Sequence, residues 1–229
     1  MRIVRQIMGL PISIDIPDAK TAADFEPAFK RFEQIDHRFS TYKPDSEVSR
    51  YIKGEITEND LSGELKYVIE RCHEAEQKTD GYFSAWAGGK FDPSGYVKGW
   101  AIAEAAKELE RQGIKTYCIG AGGDILARSN TDKVWNIGIQ SPADKAEILN
   151  KLSISNGAIA TSGNYERGAH IINPKTNKPP DGLVSVTVVG PDIIWADVLA
   201  TAIFARGSQA ADFMAKQPGY ELFVVKKLN

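Results

Sequence analysis

Residues 156–168 read NGAIATSGNYERG, residues 170–174 read HIINP, and residues 193–205 read IIWADVLATAIFA. Strand-like runs at 158–160 and 184–189 thus lead into a helix that is apolar almost all round. Within it only Asp197 and Thr201 are polar, and at i, i+4 they share one face. An ionised carboxylate on so apolar a helix is costly unless something pairs with it. No Lys or Arg lies one turn away, which leaves a bound cation or a distant arginine. A carboxylate and a hydroxyl are hard oxygen donors that suit Mg²⁺ better than zinc. The structural alternative is that Thr201 back-bonds to the carbonyl of residue 197 while Asp197 pairs elsewhere.

The rest of the chain is that of an ordinary globular protein. Its 229 residues predict one domain or a tightly joined pair. A hydrophobic share of 42%, a charged share of 25% and a net charge of −2 give no reason to expect nucleic acid or an anionic membrane as partner. Two cysteines make neither a disulfide framework nor a zinc cluster. No apolar stretch has the length of a signal-peptide core or a membrane span, and the localisation stays open between cytoplasmic and extracytoplasmic.

Working outward, Ile12, Ile14 and Ile16 alternate as a half-buried strand, and Phe25, Ala28, Phe29, Phe32 and Ile35 recur at helical spacing. Residues 37–51 predict a polar, aromatic loop broken by Pro44. A second helix follows at Leu65, Val68, Ile69, Cys72 and Ala75, then a long glycine-bearing loop over 79–99 and a third helix over about 98–112. Strands are expected at 116–119, 135–139, 151–154, 158–160, 184–189 and 221–225, with a weak helix near 210–216. Helices and strands come in blocks rather than strict alternation. The expected fold class is therefore α+β, a single compact domain of mostly antiparallel sheet with packed helices.

Several groups can carry chemistry. Residues 120–124, GAGGD, lack the third glycine of a dinucleotide fingerprint and run on as strand, leaving a glycine turn whose backbone approaches a ligand or simply reverses the chain. Lys98 follows the turn DPSG near a helix start, where it meets either a phosphate or solvent. Residues 161–163 read as a further hydroxyl-bearing turn. His37 and His73 belong to the surface. His170 heads a strand edge and is the one candidate base at neutral pH in the glycine-rich half.

Taken in order, MGL at 8–10, FSTYKPDSEVSR at 39–50, DPSGYVKGWAIAEAA at 92–106, GAGGD, ATSGNYERGAHIINP at 160–174 and ADVLATAIFARG at 196–207 resemble the ApbE family of FAD:protein FMN transferases. That resemblance implies Mg²⁺-dependent transfer of FMN from FAD to a threonine or serine hydroxyl of an acceptor flavoprotein, with release of AMP. Hydrolysis of FAD at the same site, or FAD binding without catalysis, are its alternatives. It implies Asp197, Thr201 and the Ala121 carbonyl as metal ligands and His170 as the base. Met8, Tyr42, Lys98, Asp124, Thr161 and Ser162 would line the FAD pocket. Leu10 stands where the family commonly has threonine.

Overall fold

Period-two alternation builds one sheet, and 3.6-residue periodicity builds the helices that cover it. The computed structural model describes residues 1–142, 144, 146–164, 171–207 and 217–227. The helix expected near 210–216 and the base candidate His170 lie outside the described residues.

The chain opens as a hairpin of β1 (Arg2–Ile7) and β2 (Leu10–Asp15). β1 is an addition to the expected strands: along RIVRQI only Ile7 is fully buried, so the apolar alternation is too weak to mark it. Next comes α1 (Glu26–Phe39), which buries Ala28, Phe29, Phe32, Ile35 and Phe39. Each such phenylalanine removed from water contributes about 1.5–3 kcal/mol. α2 (Glu47–Ile52) corrects the loop expected over 37–51. Ser46 is its N-cap, accepting a 3.0 Å hydrogen bond from the Ser49 amide. α3 (Gly63–Lys78) buries Leu65, Val68, Cys72 and Ala75, and α4 (Ser94–Arg111) starts at Ser94 rather than Lys98.

The remaining strands are β3 (Tyr117–Ala121), β4 (Asp124–Arg128), β5 (Trp135–Gln140), β6 (Ile148–Ile154), β7 (Gly157–Gly163), β8 (Leu183–Gly190) and β9 (Glu221–Lys226), with α5 (Ile193–Arg206) between the last two. Residues 161–163 are the end of β7 and not a turn. Seven strands form one sheet in the order β1-β2-β3-β4-β7-β8-β9, every neighbouring pair antiparallel. This is the α+β class, with a mostly antiparallel sheet. α5 lies against β7 and β8, and α4 packs between α5 and α1.

β5 and β6 form a separate two-stranded arm between β4 and β7. Trp135 fastens it, its Nε1 donating to Asp15 Oδ2 at 2.8 Å, above a small cluster of Ala127, Ile154 and Ile159. No helix among the described residues is long and apolar enough to cross a membrane.

Candidate functional site

Antiparallel register brings three glycine-bearing segments to one end of the sheet. The β1–β2 turn is Met8-Gly9, with φ of +58° and +68°. The β3–β4 turn is Gly122-Gly123, with φ of +54° and +94°. Two positive φ values in succession suit a two-residue hairpin turn of the primed kind, and Met8 adopts one without being glycine. A Cβ on Gly122 would meet Leu10 Cδ2 at 3.0 Å, so the second turn stays glycine in order to sit against the first. The third segment is the end of β7, Thr161 to Gly163.

These ends form one wall of a cleft of about 850 Å³. The start of α4 supplies Ser94, Gly95 and Lys98, and α5 supplies Asp197 and Thr201. The glycine-bearing loop lines the cleft as well, with Tyr82, Phe83 and Ser84. Thr79 anchors that loop: its hydroxyl donates to the Ala75 carbonyl at 2.7 Å and accepts from the Phe83 amide at 3.0 Å. Tyr42 stands at the rim, 94% exposed.

Charged groups meet at the cleft floor: Lys98 and Asp197 line it, whereas Asp124 is wholly buried behind them and is not among the lining residues. Lys98 Nζ lies 2.7 Å from Asp124 Oδ2 and 3.3 Å from Asp197 Oδ1. Both carboxylates are buried, whereas the Lys98 side chain keeps 20% exposure. The ion pair with Asp124 lacks hydrogen-bond geometry, so Asp124 Oδ2 accepts no hydrogen bond among the described residues. Asp124 Oδ1 accepts from the Thr161 amide at 3.1 Å, and Asp197 Oδ2 from the Gly99 amide at 3.0 Å. Burial raises the pKa of both carboxyls. Asp197 is pushed up to about 8, first by desolvation and then by Asp124, against the pull of Lys98. Burial alone would lower Lys98, but its two carboxylates outweigh that and hold the ammonium charged.

A cation partner for Asp197 is present, and it is not the distant arginine expected. It is a lysine 99 positions earlier in the chain (197 − 98), beyond the reach of any one-turn search. Thr201 does not back-bond as the alternative had it: its hydroxyl meets Ser162 Oγ at 3.1 Å. Thr161 and Ser162 are both in the cleft wall, yet strand alternation sends their hydroxyls to opposite faces. That of Thr161 pairs with Thr187 Oγ1 at 2.9 Å. Ala121 is buried opposite Asp124 at the hairpin end, where its neighbour Gly122 lines the cleft. The Gly99 amide bond to Asp197, the loop over 82–84 and the apolar pair Ile171 and Ile172 are additions to the expected site residues. A glycine inside a helix was the one signal that could have found the first.

Among the described residues no three His, Cys, Asp or Glu side chains cluster as a metal site. A cation here would draw on mixed oxygens instead: the Asp197 carboxylate, the Ser162 and Thr201 hydroxyls and a turn carbonyl. That donor set is hard, and two carboxyls share one ammonium there, so acidic groups outnumber cations. Both properties fit Mg²⁺.

The sequence blocks on these walls belong to one family. The model of the ApbE family matches residues 8–89 and 85–224. This chain is a member of the ApbE family. A protein of Salmonella typhimurium named FAD:protein FMN transferase is 31% identical over 148 residues, 59% of this chain and 42% of the relative. One of Vibrio cholerae with the same name is 33% identical over 150 residues, 60% of this chain and 45% of the relative. The matched stretch thus spans less than half the length of these relatives. In fold, the chain is similar to the ApbE protein of Thermotoga maritima, with a TM-score of 0.86 at 21% identity over 99% of this chain and 94% of that one. It is similar also to the flavin transferase ApbE of Vibrio cholerae, with a TM-score of 0.80 at 22% identity over 100% and 94%.

Proposed function

We propose that the chain acts as one flavin transferase domain. It would move FMN from FAD to a threonine or serine hydroxyl of an acceptor flavoprotein, releasing AMP, with Mg²⁺ at Asp197, Thr201 and the Ala121 carbonyl. The observation that carries the reading is the cleft itself: family blocks far apart in sequence meet on its walls, and its floor is a buried carboxyl pair with hard oxygens around it. Its volume falls within the roughly 300–1,000 Å³ of small-molecule pockets. Aromatic groups on the loop wall suit ring systems, and the charged floor suits phosphates met through a cation.

In the reaction the acceptor oxygen forms a bond to the FMN phosphorus. The bond from that phosphorus to the bridging pyrophosphate oxygen breaks, and its electron pair leaves with AMP. Magnesium held at the floor would neutralise charge developing on the pyrophosphate. His170, by family resemblance, takes the hydroxyl proton on an imidazole nitrogen. Asp197, fixed by the Gly99 amide, keeps its other oxygen toward the cleft floor. The Gly122 turn lets backbone approach phosphates without a side chain between.

The test is incubation of purified protein with FAD and Mg²⁺, with and without a candidate acceptor, read by mass spectrometry and nucleotide chromatography. FMN on the acceptor with free AMP is the expected result. Free FMN and AMP regardless of acceptor would make the chain an FAD hydrolase, and unchanged FAD without any thermal shift would end the reading. His170→Ala should cut transfer by roughly 10²–10⁴-fold while leaving FAD affinity unchanged.

A further inference from the structure

Lys98 reaches two carboxylates unequally. Its Nζ is 2.7 Å from Asp124 Oδ2 and 3.3 Å from Asp197 Oδ1. Asp197 is held from behind: Gly99 donates its amide to Oδ2, and a Cβ on Gly99 would lie 3.2 Å from Asp197 Cβ and 3.0 Å from the Ile193 carbonyl oxygen. The carboxylate is thereby pinned between two helices with only Oδ1 turned to Lys98. A divalent ion at Asp197 needs that same oxygen. An ammonium and a divalent ion sharing it would repel strongly in so dry a place.

We propose that Lys98 is a built-in counter-cation that competes with the divalent ion for Asp197. In the protein without metal it is the one cation in contact with both buried carboxyls. When the ion arrives, Lys98 gives up the longer contact to Asp197 and keeps the shorter one to Asp124. The lysine already lines the cleft and keeps 20% of its side chain exposed, so an anionic phosphate there draws it the same way. Cation and pyrophosphate substrate then favour one another through this side chain. The inference rests on the magnesium reading above and adds what sets the affinity of that site.

The experiment is Mn²⁺ binding to the full chain without FAD, followed by electron paramagnetic resonance, in wild type, Lys98→Met and Asp197→Asn. Lys98→Met should bind Mn²⁺ about tenfold more tightly than wild type. Its affinity should also gain less from added inorganic pyrophosphate. Because Lys98→Met leaves two buried carboxylates uncompensated, Lys98→Met/Asp124→Asn is measured beside it, with a melt for each, and should also bind more tightly than wild type. If Asp197→Asn weakens binding but neither lysine variant tightens it, the competition is overturned and the metal site stands. If Asp197→Asn binds like wild type, the metal reading falls and the inference with it.

Discussion

Among the described residues, two of the ion networks are built to opposite rules. On the outer side of the helices, Arg31 bonds Glu64 at 2.7 Å and Glu104 at 3.0 Å, Arg38 meets Glu47 and Glu64, and Lys107 meets Glu104 at 2.7 Å. Three cations there face three carboxylates, most of them in partial contact with water. Inside the cleft one lysine faces two carboxylates that are almost wholly buried. A balanced, wet network is complete as it stands and contributes modestly to stability. An unbalanced, dry one has one more carboxyl than it has cations, and it is found where a charged ligand can complete it.

The largest effect that could break this contrast is on turnover. Asp197→Ala is expected to lower Mg²⁺-dependent transfer by about 10²–10³-fold. A melt with and without Mg²⁺ separates lost metal from lost fold, and full activity at limiting Mg²⁺ would sink the assignment.

Next is a pH effect. The Asp197 carboxyl, raised by burial to about 8, binds its proton more tightly folded than unfolded. Its contribution to stability is present at low pH and is lost as pH climbs from about 4, the ordinary carboxylate range, through about 8. Without metal, the melting temperature should fall across that window, and saturating Mg²⁺ should flatten the fall by favouring the ionised form. A metal-free profile that is flat from pH 5 to 8 would contradict the burial argument.

Smaller effects belong to the outer network. Arg31→Met removes a cation that is 12% exposed and lies 5.4 Å over the Trp100 ring. It should cost about 1–2 kcal/mol in denaturant unfolding and leave turnover intact. Lys107→Ala touches a side chain that is 56% exposed and should change stability by less than about 0.5 kcal/mol. A turnover defect in either variant would dissolve the distinction between the networks.

The two networks were also unequally legible. Periodicity exposed the core helices because each carries its apolar residues at fixed spacing: Phe29, Phe32 and Ile35 announce α1 unaided. α2 escapes the pattern because Pro44 and the polar run around it outweigh the Ser46 cap in a helix of six residues. β1 escapes it because an edge strand with arginines on it needs little apolar patterning. At the site, Asp197 and Thr201 stood out because they are the polar exceptions on one apolar helix. Thr161 and Ser162 read as one turn, and only the strand they belong to shows that their hydroxyls diverge.

Local pattern by itself determined the α+β class, the apolar α5 with its single carboxylate, and the ordered blocks that place the chain in its family. These are matters of spacing along one chain, where neighbours three and four residues apart share a helix face. Only the tertiary structure decided who neutralises Asp197. Lys98 and Asp124 come to it from another helix and from a hairpin, and Gly99 reaches it because the two helix backbones touch where a side chain is missing. Such contacts depend on how elements cross in space, which residue spacing along a single element does not encode.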